Sequence, residues 1–299
     1  MTKQRTDIKQ DVADRIIAAM EAGPPPWRKP WTGGGGAPAL PLRYNGEGYR
    51  GINVLILWLT AHEKGYTSAR WMTFKQAKTL GGMVRKGERA ARTVYWGTFE
   101  KETEAENGET ETKRSAFAKG FSVFNADQID GLPETYYVRP DPPRDLGTEA
   151  VPELDEWFAR TGARIETSDD PRAYYLPSSD HIHMPPIRTF HDASGYYGTL
   201  AHELTHWTGA KPRLDRLSRH GDRASYAFEE LVAEIGACLL GAQLGVEPQF
   251  EQSAAYVEGW LDAMRGDKDV IFKAAAEAQK AADFALDLAV SHPAKDEAA

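Results

Sequence analysis

Ala201-His202-Glu203-Leu204-Thr205-His206 carries the HExxH pattern, and its reading decides what the second half of this chain is. Four residues make about one helical turn, so His202 and His206 stack on one face, where both imidazoles can grip a single cation. Glu203 projects beside them, placed to take a proton from a water in the same site. Trp207-Thr208-Gly209 reads as a helix stop, and a second, apolar helix over residues 226–240 carries Glu229, Glu230 and Glu234. A third ligand from a second helix, with the fourth position open, is the donor arrangement of a catalytic His-His-Glu zinc site.

The apolar face of 226–240 runs through Phe228, Leu231, Val232, Ile235 and Leu239, with Glu229 and Glu230 flanking it on opposite sides. Periodicity therefore leaves the choice among the three glutamates open. We favour Glu229, which faces the small Gly236, where another helix can approach closely, and assign Glu234 to orienting a histidine. The expected site is Glu203 as base and His202, His206 and Glu229 as ligands, with Zn2+ or another divalent transition metal as cofactor. His181 and His183, two apart on one strand face, are read as structural, since three protein ligands already complete a catalytic zinc site.

Charge divides the 299 residues unevenly. Residues 1–130 hold 20 Lys+Arg against 15 Asp+Glu, residues 131–299 hold 16 against 29, and the first 100 alone hold 16 against 8. A basic first half hidden inside an acidic chain suggests that this half meets a polyanion. The single cysteine, Cys238, sits on the apolar helix, so no intramolecular disulfide is possible and a reduced, cytoplasmic setting fits. The longest apolar run, residues 52–61, is too short to span a bilayer, and the polar N-terminus has no signal-peptide core, so no membrane partner is expected.

Length and pattern predict an α+β chain of two domains: residues 1–130, a linker at 131–150, and residues 151–299. Helices are expected over 7–22, 49–60 and 73–80. The segments 91–99 and 116–124 alternate and pair across a charged connection. A flexible glycine run at 33–36 and a Pro-rich linker at 139–144 are expected from composition. The second half reads as a helix over 153–161, short strands at 164–166, 172–176 and 181–184, and then four helices, the general layout of a zincin.

Six stretches in order carry a resemblance: Tyr49-Arg-Gly-Ile-Asn-Val-Leu, Arg70-Trp-Met-Thr-Phe-Lys-Gln-Ala, Gly81-Gly-Met-Val-Arg-Lys-Gly-Glu, Asp180-His-Ile-His-Met-Pro, His202-Glu-Leu-Thr-His-Trp-Thr-Gly and Glu229-Glu-Leu-Val-Ala-Glu. Through nearly its whole length the chain resembles the ArdC antirestriction family, related to TraC-type plasmid primase segments. The resemblance implies a single-stranded-DNA-binding N-terminal domain joined to a zincin-like metallopeptidase domain. It also implies carriage on conjugative plasmids or other mobile elements, and protection of entering DNA from host restriction.

Cationic and aromatic residues support the DNA part independently, because single strands are held by cations along the backbone and rings under the bases. The candidates are Arg43, Tyr44, Arg50, Trp71, Lys75, Arg85, Lys86 and Arg89, with Arg85-Lys86-Gly87 the densest cationic turn. Trp58, inside an apolar helix, reads as core. The expected partners are single-stranded DNA and a protein substrate such as a host restriction component. Two alternatives are a single-strand-binding protein whose metal is purely structural, which Glu203 argues against, and a replication or priming accessory, for which no nucleotidyl-transfer motif is present.

Overall fold

Asp7 accepts from the backbone N–H groups of Lys9 and Gln10 and so starts α1 (Ile8–Glu21), whose buried stripe is Val12, Ile16 and Met20. The computed structural model that shows this describes residues 7–25, 27–28, 40–104, 110–138, 145–219, 223–248 and 254–291. The glycine run at 33–36 and the linker segment at 139–144 lie outside the described residues. α2 (Ile52–Lys64) buries Ile52 and every position from Val54 to Thr60, Trp58 among them, and ends at Gly65, whose φ of 68° is the left-handed conformation glycine accepts most easily.

Four strands form the first sheet in the order β1 (Leu42–Arg43), β2 (Arg70–Met72), β5 (Thr110–Asn125), β4 (Ala91–Glu104). β4 and β5 are the expected hairpin, longer than alternation suggested, with Ala91 opposite Val123 and Glu104 opposite Thr110. β3 (Met83–Val84) and β6 (Ile129–Asp130) make a small antiparallel ribbon beside α3 (Phe74–Thr79), which is opened by a reciprocal Thr73–Gln76 capping box. In the second half, α4 (Pro152–Arg160) precedes a sheet of order β7 (Arg164–Thr167), β9 (His181–Met184), β8 (Tyr174–Leu176). α5 (Ala193–Thr208), α6 (Arg223–Leu244), α7 (Ala254–Gly266) and α8 (Val270–Ser291) follow.

The main apolar core is shared by the two halves. Val12, Ile16 and Met20 of α1, Trp27, and Ile52, Val54, Leu55, Ile56 and Trp58 of α2 belong to the same buried cluster as Leu204, Ile235, Trp260 and Ile271. Polar contacts follow the same seam. Lys9 pairs with Asp269 at 2.9 Å, Lys268 with Asp7, and Arg50 with Asp283, while the Gly51 N–H donates to Gln279 Oε1 at 2.9 Å. Part of the charge difference between basic first half and acidic second half is therefore consumed inside the molecule. Cys238 is buried, as its helix position implied, and no helix among the described residues is long and apolar enough to cross a membrane.

Candidate metal centre

Asp192 opens α5 by accepting from the Gly195 N–H at 2.8 Å, and the helix then carries His202, Glu203 and His206 into an open cleft of about 1140 Å³. The helix stops at Gly209 in a right-handed conformation, with φ −78°. Glycine is required there for space, since a Cβ would lie 2.8 Å from Nη2 of the buried Arg216. Gly236 of α6 serves the approach expected of it: a Cβ would lie 2.6 Å from Thr205 Cγ2, so only glycine lets α6 sit this close to α5.

The Nε2 atoms of His202 and His206 are 3.2 Å apart. Glu230 stands over both, with Oε2 3.6 Å from His202 Nε2 and Oε1 3.6 Å from His206 Nε2. A tetrahedral cation with bonds of about 2.0–2.1 Å holds its ligand atoms about 3.3 Å apart, so this donor set fits one. Among the described residues, His202, His206 and Glu230 are the one group of His, Cys, Asp and Glu that converges in this way. Glu203, almost fully buried, lines the same cleft.

The preference for Glu229 as third ligand is corrected by this geometry. Its carboxylate turns to Arg216, with Nε to Oε2 at 2.6 Å and Nη2 to Oε1 at 2.8 Å, and accepts from His206 Nδ1–H at 3.1 Å. That bond fixes the tautomer that leaves His206 Nε2 free to bind, the orienting task assigned from sequence to Glu234. Glu234 instead takes both bonds from Arg28 Nη2, at 2.9 and 3.1 Å. Sequence reading missed Arg216, which lies in a loop with no periodicity, and Arg28, which follows Trp27, a ring tilted 60° to Trp260 with centres 6.1 Å apart. It also missed Tyr226, one turn before Glu230 and hydrogen-bonded to it. His181 and His183 stay out of the centre; His183 is held by Ser168 Oγ at 2.7 Å and the Arg172 carbonyl at 2.8 Å.

Electrostatics show that the centre draws positive charge. Burial works against a charged His206, yet the bond to Glu229 and the carboxylates of Glu203, Glu229 and Glu230 raise its pKa to about 9. Burial likewise opposes ionisation of Glu230, but the two histidines hold it at about 2. Without a cation, the His206 contribution to folding is fully present below pH 6.5 and is lost as pH rises through about 9. A cation must displace that proton, so its affinity should climb by up to about tenfold per pH unit as pH rises towards about 9 and level off above, with matching proton release in calorimetry.

The residues expected to meet DNA are only partly presented. Trp71 is 1% exposed, packed with Leu57, Ala91 and Val123, so it cannot stack a base, and that expectation is corrected. The Arg50 guanidinium is paired with Asp283, Arg43 pairs with Glu47 at 3.2 Å, and Arg85 is held by Glu88 at 3.0 Å and Asp130 at 3.3 Å. Tyr44, Lys75, Lys86 and Arg89 are exposed. The 85–88 turn is closed by Gly87 at φ 91°.

Comparison with known proteins agrees with both halves. Residues 6–124 match the N-terminal domain of anti-restriction factor ArdC, and residues 152–277 match a zincin-like metallopeptidase family. The structure aligns with the metal-free crystal structure of the antirestriction protein ArdC from plasmid R388 at a TM-score of 0.86 and 61% identity, over 96% of this chain and 99% of that one. The Mn(II)-bound form of the same protein aligns at 0.81 and 61% identity, over 95% and 98%. An uncharacterised protein, y4eC, of Sinorhizobium fredii is 39% identical over 93% of this chain and 91% of its own length. A DNA primase TraC of Escherichia coli is 38% identical over 96% of this chain, which spans only 28% of that protein. Fold and matches together define a two-domain α+β chain that joins an anti-restriction N-terminal domain to a zincin-like domain. The chain belongs to the ArdC antirestriction family.

Proposed function

We propose that this chain is an antirestriction factor that binds single-stranded DNA through its first half and hydrolyses peptide bonds in its second, with a divalent cation held by His202, His206 and Glu230. The observation that carries the hydrolytic reading is the convergence of these three donors at 3.2–3.6 Å beside Glu203 in an open cleft. A purely structural site has no use for a buried carboxylate next to its ligands. A cation bound there supplies Lewis-acid polarisation of a carbonyl and acidifies water, and zinc is the ion such His-His-Glu sets suit best.

The rest of the chemistry belongs to the chain. Glu203 accepts the water proton as the oxygen attacks the peptide carbonyl, then returns it to the leaving amine nitrogen. Glu229, clamped by Arg216, keeps the His206 ring oriented. β8 is an outer strand of its sheet, and Tyr174 and Tyr175 line the cleft, so an extended peptide can pair along that edge next to Glu203. A protein met on the entering strand, such as a restriction component, is the proposed substrate.

The DNA half rests on the ArdC match at 6–124 and on the basic first 100 residues. Phosphate neutralisation makes this binding salt-dependent, so affinity for a labelled single strand should fall steeply as salt rises, with duplex a poor competitor. In parallel, an unfolded protein substrate should be cleaved in the presence of Zn2+ or Mn2+ and spared by a chelator. Salt-independent binding would remove the DNA reading, and chelator-insensitive cleavage would remove the metal reading. Because the halves share one core, both assays need the full chain.

A further inference from the structure

The hairpin β4–β5 keeps three aromatic rings in water. Tyr95 is 54% exposed, Phe117 38% and Phe121 39%, although a soluble chain ordinarily covers such a cluster. All three share one face, because Thr93 pairs with Phe121, Tyr95 with Lys119 and Gly97 with Phe117, and residues opposite in an antiparallel pair point the same way. Tyr95 lies 6.3 Å from Phe117 and 6.0 Å from Phe121, ring centre to ring centre. Gly97 makes room for this: a Cβ there would fall 2.4 Å from the Phe117 ring, so glycine lets the ring lie down across the strand.

The opposite face of the ribbon is turned to the body. Val94 is buried, Gly120 abuts Ile8, and Trp96 meets Phe272 edge-on at 5.9 Å. The aromatic row therefore looks outward, and it carries a cation: Lys119 Nζ sits 5.3 Å from the centre of the Phe121 ring and has no carboxylate partner among the described residues. The Tyr95 hydroxyl likewise has no hydrogen-bond partner among the described residues. Exposed rings beside an ammonium match an unpaired nucleic-acid strand, which offers bases to stack and phosphates to neutralise.

The geometry points to this face, Tyr95, Phe117, Lys119 and Phe121, as the stacking platform for single-stranded DNA. The assignment rests on the single-strand reading above and adds where the bases lie. Sequence also sets the path: residues 100–114 at the far end of the hairpin hold six Glu against three Lys+Arg, which turns a polyanion away. The strand crosses the base of the ribbon, on the side of the basic first 100 residues.

The test uses the full chain and two labelled single strands of equal length, an oligothymidylate and an abasic backbone, followed by fluorescence anisotropy. The protein should prefer thymidylate by about 10³-fold, from about tenfold for each of the three rings. Phe117→Ser and Phe121→Ser should each cut that preference about tenfold, and the triple variant with Tyr95→Ser should abolish it while the salt slope stays unchanged. Phe121→Tyr should retain it, and Lys119→Gln should lower the salt slope by about one with the preference intact. Serine variants that keep the thymidylate preference overturn the platform and leave single-strand binding standing. A wild-type chain that binds both strands equally overturns the platform too, and one that binds neither overturns the single-strand reading with it.

Discussion

Arg216→Met should cost about 3–5 kcal/mol of folding free energy, read as a lowered midpoint in urea at unchanged slope. Arg216 is 1% exposed and directs Nε and Nη2 at both oxygens of Glu229, itself 4% exposed, and Nη2 also donates to the Thr205 carbonyl at 2.7 Å. Methionine fills similar space but leaves a carboxylate buried with one partner, His206, and takes one of two donors from the Thr205 carbonyl, which keeps the Thr208 hydroxyl at 2.6 Å. Burial alone pushes the Glu229 carboxyl upward; His206 and Arg216 bring it below its ordinary value. Removing the guanidinium should therefore make Glu229 take up a proton at higher pH and weaken its hold on His206. The double change Arg216→Met with Glu229→Gln should recover part of the loss, because no unpaired charge remains. A single variant as stable as the parent would show that the pair does not hold α5 and α6 together.

Glu203→Gln should lower peptide hydrolysis by about 10²–10⁴-fold, read as kcat/KM on an unfolded protein substrate. The amide keeps the size of the side chain and cannot accept a water proton. One equivalent of cation should still bind, since the donors are His202, His206 and Glu230, and single-strand affinity should be unchanged, because Glu203 lies in the zincin-like half. Glu203 is also one of three carboxylates that keep His206 protonated up to about pH 9, so the pH at which a cation displaces that proton should fall in the variant. Undiminished hydrolysis would move the base elsewhere, and lost DNA binding would contradict the division of labour between the halves.

Much of this was legible in residue patterns, and the failures have physical causes. The helices and the β4–β5 hairpin show themselves by period: the stripe Val12, Ile16, Met20, the apolar run in α2, and the alternation either side of the charged connection. Strands of two or three residues, such as β1, β2, β3 and β6, are too short to display any period, and only pairing partners reveal them. A stripe also says that a helix is buried without saying against what, which is why the packing of α1 and α2 on α7 and α8 was not foreseen. Trp71 illustrates the same limit, since a tryptophan between Arg70 and Lys75 looks like a stacking residue until β2 is seen to turn it inward.

At the centre, HExxH brings His202, Glu203 and His206 to one cleft because helix geometry fixes them relative to each other. The choice between Glu229 and Glu230 could not be made from the same periodicity, since both flank the apolar face. It is settled by Arg216, thirteen residues before Glu229 in a loop, which claims one carboxylate and leaves the other for the histidines. The aromatic row on β4–β5 is assembled by register, which brings Tyr95, Phe117 and Phe121 onto one face.

The most direct measurement is Co(II) titration of the parent, Glu230→Gln and Glu229→Gln, followed by the visible absorption of the bound ion. The parent should bind one equivalent in a tetrahedral-type spectrum. Glu230→Gln should lose stoichiometric binding, and Glu229→Gln should keep one equivalent with affinity weakened by about 10–100-fold, as expected when a group that orients a ligand is removed. Stoichiometric binding by Glu230→Gln together with its loss in Glu229→Gln would contradict the assignment of Glu230 to the cation.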